Sequence, residues 1–279
     1  MPAFHLHPEV FLLLGAIWLA YLSAWRRHER DAGPAAVVEN RRRKTVLFTA
    51  GVVALLAGAT WPVHDLAERY LYSVHMVQHL LITLVGAPFL LAGTPSWMAR
   101  ALLRPRAVMR AMRFLTRPIV ALAIFNGLLL LTHWPAVVTL SVRSELFHFT
   151  AHSALFLSAL LMWWPVLSPL PELPALAPPG QMLYLFLQSL APTVPASFLT
   201  FGSSPLYKIY TTFPRVWSIS ALTDMRVAGL IMKLLGGFIL WGVITAVFFR
   251  WHADEQRSEG WDALRWRDVE HDVRSEITK

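Results

Sequence analysis

Two pairs of histidines, each spaced by four residues, are the feature of this sequence that could do chemistry. His75 and His79 open the apolar stretch SVHMVQHLLITLVGAPFLLAG, and His148 and His152 occur in ELFHFTAH. Residues four apart share one face of a helix and lie about 6 Å apart along its axis. Because lipid offers an imidazole no hydrogen-bond partner, something within the protein must satisfy these rings.

Metal binding is the chemistry that these residue types favour. Neutral imidazole is the commonest metal ligand, and a pair at i and i+4 can present two nitrogens to one ion. The chain has no cysteine, so thiolate ligands are excluded, and nearby methionine sulfur favours Cu(I), with zinc as the other candidate. The predicted metal-site residues are His75, His79, His148, His152, His64, His133, Asp224, Met225 and Met232.

Several of these residues also have a purely structural interpretation. Asp224 could ligate the metal or orient an imidazole, but the N-cap of the last membrane span is the simplest role for it. Met225 and Met232 could fill the core, as methionines commonly do. Lys233, in the middle of an apolar run, could face the bundle interior or extend its amine towards the membrane surface.

The composition indicates an all-α membrane protein that must position these groups. Of 279 residues, 56% are hydrophobic and 15% are charged, and the mean hydropathy is +0.48, whereas a soluble domain carries about 25% charged residues. We predict one seven-helix transmembrane domain over residues 1–250 and a cytoplasmic C-terminal tail over 251–279. The predicted spans are 8–26, 45–63, 74–93, 118–138, 146–167, 182–202 and 225–249.

Basic residues set the predicted orientation. The connector 26–44 holds seven Lys or Arg and the connector 94–117 holds six arginines and no acid. By the positive-inside rule both lie in the cytoplasm, with the C-terminal tail, so the N-terminus is outside. Six histidines on four spans then lie near the outer, periplasmic or extracellular, face: His64, His75, His79, His133, His148 and His152. We assign no role to His5 and His7.

The sequence is similar to a known family in four motifs. In order along the chain they are HMVQHLLITLVGAPFLLAGTP, FNGLLLLTHWPAVV, HFTAH with WWPVLSP, and LTDMRVAGLIM. It resembles the CtaG-type cytochrome c oxidase assembly factors, seven-span bacterial membrane proteins associated with caa-type oxidases. The resemblance implies a plasma-membrane chaperone that handles copper for the outward-facing copper centre of the oxidase. Its partners would be oxidase subunits and other copper chaperones; a homo-oligomer is left open.

The last motif departs from the family pattern, which usually reads Asp-Gln followed by Gly-Gly and Met-Trp. Here Asp224-Met225 is followed by Ala228-Gly229 and by Met232-Lys233. The resemblance carries over His75, His79, His148 and His152 most directly, with His64 and His133 after them. Any role of the missing glutamine does not transfer to this chain.

Other functions find less support in the sequence. The motifs GxSxG, GxGxxG and the P-loop are absent, and neither histidine pair has the glutamate of HExxH. The net charge of +8 is concentrated in loops, so we expect contact with lipid and no nucleic-acid partner. A transporter would need ionisable residues through the membrane depth. The alternative left open is a membrane b-type haem protein, a redox enzyme with outer axial histidines; otherwise we expect no enzymatic activity.

Overall fold

The computed structural model describes residues 6–32 and 40–277, with side chains as far as Arg257, so His5 lies outside the described residues. Within these ranges no β-strand occurs, and the all-α prediction is confirmed. The helices are α1 (Pro8–Ala32), α2 (Arg41–Ala59), α3 (Val63–Arg69), α4 (Tyr72–Leu80), α5 (Ala87–Gly93), α6 (Ser96–Leu102), α7 (Arg106–Leu115), α8 (Pro118–Thr132), α9 (Pro135–Arg143), α10 (Glu145–Leu167), α11 (Pro178–Gln188), α12 (Thr193–Phe201), α13 (Ala221–Leu230) and α14 (Gly236–Ile277).

Six helical segments in the described part of the chain are long and apolar enough to cross a membrane. They are Pro8–Asp31, Arg41–Arg69, Tyr72–Gly93, Glu145–Leu167, Pro178–Phe201 and Ala221–Arg257. A seventh candidate is the pair α7 and α8, which passes the same test together but is bent by 79°. Each of the seven predicted spans therefore coincides with helical structure. The orientation of the termini stays a prediction.

The fourth span ends earlier than the predicted boundary at residue 138. α8 stops at Thr132, and α9 begins at Pro135. Trp134 between them is extended, with φ −70° and ψ 134°, because a residue that precedes proline is disfavoured in the α conformation. His133 consequently caps the C-terminal end of α8 instead of lying inside a continuous helix.

Three of the membrane segments depart from regular α-helix. α4 passes through a π-helical turn, Leu81–Gly86, into α5, and α13 passes through a second one, Ile231–Leu235, into α14. Such turns are frequent at functional sites. The sixth span is interrupted between α11 and α12, where Pro192 and Pro195 lack the backbone N–H groups that a continuous helix needs.

Glycines allow the second and third spans to pack backbone against backbone. A Cβ added at Gly93 would lie 2.3 Å from the backbone nitrogen of Phe48, and one at Gly51 would lie 2.8 Å from that of Leu90. Small residues are the usual means of close helix approach in membranes. The Tyr21 hydroxyl donates to the Gly93 carbonyl at 3.0 Å, so α1 joins the same contact.

Replacing Gly93 with alanine should destabilise the fold, because the added methyl group meets the backbone of α2. Overpacking of this kind costs about 1–3 kcal/mol, so the detergent-solubilised variant should unfold at a lower temperature when followed by circular dichroism. Gly127→Ala is the matched control, since a Cβ there meets nothing within 4 Å. Equal unfolding temperatures for the two variants would contradict this close packing.

Candidate metal site

The six predicted histidines meet at one end of the helical bundle, which we call the histidine end. His64 lies on α3, His75 and His79 on α4, His133 directly after α8, and His148 and His152 on α10. The meeting follows from connectivity, because consecutive spans run in opposite directions and each of these residues is near the end of its span. The structure thus brings all six predicted histidines to the same end of the bundle.

Three of these histidines, His75, His79 and His152, form one compact group that we call the imidazole trio. One ring nitrogen from each lies within 4.8 Å of the other two. The ring centroids of His75 and His79 are 4.4 Å apart, and His152 lies 5.3 Å from the first and 4.9 Å from the second. Two helices, α4 and α10, therefore present three possible ligands to one point.

Two nitrogens of the imidazole trio lack any other function in the fold. Nδ1 of His75 and Nε2 of His79 are buried and have no hydrogen-bond partner among the described residues. Leaving a buried polar atom unsatisfied costs about 1–3 kcal/mol. A metal ion would use the lone pairs of such nitrogens, so the donor set fits a metal.

A cavity of about 220 Å³ adjoins the trio. Its lining includes Glu68, His75, His79, His148 and His152. Water occupies about 30 Å³ per molecule in the liquid, so a partly hydrated ion fits this space.

His133 is oriented like a metal ligand but stands apart from the trio. Its Nδ1 lies 2.7 Å from the Leu129 carbonyl, and its Nε2 is buried without a partner among the described residues. Since a carbonyl can only accept, Nδ1 carries the proton and Nε2 keeps its lone pair. The ring centroid is 5.6 Å from that of His79, so His133 is next to the trio and outside the compact group.

The two remaining histidines, His64 and His148, come together with a glutamate. Glu68 Oε1 lies 3.4 Å from His64 Nε2 and 3.1 Å from His148 Nε2. One ligand atom from each of the three residues lies within 4.8 Å of the others. Glu68 was not among the predicted residues, although its position four residues after His64 on one helix was a visible signal.

Asp224 does not cap its own helix, so the N-cap role proposed from the sequence is wrong. Ser220 caps α13, accepting a hydrogen bond from the Thr223 backbone N–H. The Asp224 carboxylate instead accepts from the backbone N–H groups of Tyr72 at 2.7 Å and Ser73 at 3.0 Å. Both oxygens therefore stabilise the first turn of α4, the helix that carries two members of the trio.

Met232 and Lys233 lie towards the membrane interior from the trio. Met232 lines a small apolar cavity together with Met76, His79 and Lys233, whereas the buried Met225 lines neither of the cavities described. The Lys233 amine is exposed and donates to the Thr193 hydroxyl at the break in the sixth span. A role for Met232 beside the metal remains a prediction, and Met225 contributes to packing.

A tryptophan fixes α10 against the π-helical turn that follows α4. The Trp163 indole N–H donates to the Thr83 carbonyl at 2.9 Å, and the Thr83 hydroxyl donates to the His79 carbonyl at 2.6 Å. A π turn leaves carbonyls without their usual helical partners. The indole supplies one, so the two helices of the trio are held in fixed relative positions.

Two buried tyrosines of the connector before α13 cover the site. The Tyr207 hydroxyl donates to the His133 carbonyl at 2.8 Å, and the Tyr210 hydroxyl donates to the Ala67 carbonyl at 3.3 Å. Burial raises the pKa of Tyr207 to about 12 and also raises the pKa of Tyr210. Both phenols are therefore neutral at physiological pH and contribute no phenolate ligand.

Helical membrane spans with a cluster of imidazoles at one end define the class of this protein: a polytopic membrane protein with a candidate metal site. A family model described as cytochrome c oxidase caa3 assembly factor (Caa3_CtaG) matches residues 19–254. The chain belongs to this family, and the resemblance seen in its motifs is confirmed. Comparison with curated proteins and with solved structures finds no match.

Asp224→Asn should weaken the start of α4, because an amide offers one acceptor oxygen where the carboxylate offers two. Hydrogen bonds to a charged group contribute about 1.5–3 kcal/mol, so the variant should show a lower unfolding temperature. Asp254→Asn serves as the control, because the Asp254 side chain is 64% exposed and has an ion pair with Arg257. Wild-type stability of the Asp224 variant would argue against this cap.

Proposed function

We propose that this assembly factor binds Cu(I) at the imidazole trio and delivers it for maturation of the oxidase copper centre. Copper is here cargo, passed to an oxidase subunit after receipt from another copper chaperone. The observation that carries the proposal is the convergence of His75, His79 and His152 within 4.8 Å. The family membership indicates the biological context, and the ligand types indicate which metal is bound.

The site's donors and surroundings favour Cu(I) over a divalent ion. Imidazole suits copper as well as zinc, but the chain has no cysteine and the trio has no carboxylate, so a bound ion keeps its full charge. A monovalent ion brings half the charge of Zn²⁺ into the end of an apolar bundle.

The position of the trio also fits delivery to an outward-facing copper centre. The arginine-rich connectors belong to the opposite end of the bundle, where His28 stacks on Trp97 and His252 on Phe248. By the positive-inside rule that end faces the cytoplasm. We infer that the histidine end faces the periplasmic or extracellular side of the bacterial plasma membrane.

The haem alternative receives less support from the geometry. A b-type haem would have to lie between two histidines such as His79 and His152, with one ring on each side of its plane. Those two rings are 4.9 Å apart between centroids, which leaves no space for a porphyrin between them. A bare metal ion needs no such space.

Metal analysis of the purified protein tests this function. After anaerobic loading with Cu(I), we expect nearly one copper per chain and no haem absorption band, and His79→Ala and His152→Ala should lower the affinity by about tenfold or more. His252→Ala is the control, because His252 lies at the other end of the bundle and contacts Gln256. A Soret band without copper would instead favour the haem protein.

In cells, the same two alanine variants should insert into the membrane at normal levels yet fail to support oxidase activity. The reason is that removal of one ring from the trio leaves the helices and their backbone hydrogen bonds intact. Membrane fractions would be assayed for the protein by immunoblot and for oxidase turnover. Full oxidase activity in both variants would show that the trio is not needed for assembly.

A further inference from the structure

A second group of possible metal ligands lies beside the imidazole trio and shares no residue with it. We propose that His64, Glu68 and His148 hold Cu(I) transiently as the ion moves between the bundle surface and the trio. This inference rests on the proposed copper function, because it concerns the path of the same cargo. It adds a separate position, a different donor set and a role for Glu68.

The donor set of this second position includes a carboxylate that the trio lacks. Glu68 Oε1 lies between His64 Nε2 at 3.4 Å and His148 Nε2 at 3.1 Å. The side chains of His64 and Glu68 are 21% and 27% exposed, so an arriving ion can reach them first, whereas Nε2 of His148 is buried. The carboxylate charge compensates that of Cu(I), which lowers the cost of removing the ion from water.

The hydrogen bonds of His64 make this second position a weaker one than the trio. The Gln78 side-chain nitrogen donates to the Gly58 carbonyl at 2.9 Å and contacts His64 Nδ1 at 3.0 Å. Because a carbonyl can only accept, the amide nitrogen must face both groups, so Nδ1 of His64 accepts and the ring proton is on Nε2.

An ion that binds His64 Nε2 must therefore displace that proton to Nδ1. Gln78 then has to turn its oxygen to Nδ1 and lose its hydrogen bond to Gly58. The trio carries no such cost at His75 Nδ1 or His79 Nε2, which have no partner to lose among the described residues. Copper consequently favours the trio at equilibrium and occupies the second position in passing.

The two positions are joined by adjacent rings on α10 and by one cavity. His148 and His152 stack with centroids 4.2 Å apart, and His75 lies 6.0 Å from His148. All three rings and Glu68 line the cavity of about 220 Å³. An ion can exchange His148 for His152 and His75 without leaving this space.

The line of imidazoles continues beyond the second position. The His7 ring lies 4.8 Å from that of His64, and its Nε2 is 3.2 Å from the Asp65 carboxylate. His7 directly precedes α1, so its imidazole reaches the cluster from a helix that carries none of the other six histidines there. The placement gives the second position one more imidazole beside His64.

The test separates the rate of copper uptake from the affinity of the trio. Full-length protein in lipid nanodiscs would be mixed anaerobically with a Cu(I)–bicinchoninate complex, and loss of the chelate colour would be followed by stopped flow and at equilibrium. For Glu68→Gln we expect uptake about tenfold slower or more, with equilibrium affinity within about twofold of wild type. His64→Asn should behave in the same way and replaces it if Glu68→Gln elutes as aggregate.

Glu145→Gln is the matched control, because Glu145 lines the same cavity but belongs to neither group of metal donors. Its uptake rate should stay at the wild-type value. Equal slowing of the Glu68 and Glu145 variants would show a general effect of charge and would overturn the second position. Wild-type uptake in Glu68→Gln would also overturn it while leaving the trio in place.

Two further results would have distinct meanings. If Glu68→Gln lost equilibrium affinity as well as rate, the two groups would act as one site and the transient position would be wrong. If wild-type protein bound no copper at all, the proposed function itself would fail, and this inference with it. Both results come from the same titration, so the two failures are distinguishable.

Discussion

The carboxylate of Asp224 connects the last membrane segment to the start of α4, and the position of the metal-site helix depends on this contact. The first turn of any helix has backbone N–H groups without helical partners. At Tyr72 and Ser73 these groups are buried, so water cannot satisfy them. A residue 152 positions away in the sequence does so, and the connection brings α13 against α4 at the end where the rings of His75 and His79 lie.

Around this contact, further hydrogen bonds hold the groups of the histidine end in place. The Gln78 amide orients His64, the Leu129 carbonyl orients His133, and the Trp163 indole holds the backbone after His79. Such supporting groups set which nitrogen of an imidazole is free to bind. Buried ring nitrogens without hydrogen-bond partners among the described residues lie in the trio, at His75 and His79, and next to it, at His133 and His148. This is where the fold accepts a cost that a metal ion would remove.

The arrangement of the histidines was predictable, whereas the connections that fix them were not. Spacing by four placed each pair on one helix face, and alternating spans brought the faces to one end. The proline at position 135 also gave a local signal for the end of α8 that the prediction of a longer span overlooked. The spacing of four from His64 could also have identified Glu68. The role of Asp224 could not be predicted, because nothing in the local sequence indicates which distant N–H groups a carboxylate will contact.

The π-helical turn after α4 changes which residues share a face. His79, Gly86 and Gly93 are spaced by seven, and in a regular α-helix a spacing of seven returns to within about 20° of the same direction. Yet His79 contacts the His152 ring on α10, while Gly86 and Gly93 face Leu55 and Phe48 on α2. The turn accommodates one more residue than an α turn, which rotates the later part of the span by about 100° relative to the earlier part. One membrane segment thereby serves two neighbours in different directions, and a helical wheel drawn from its heptad spacing would merge two separate surfaces into one.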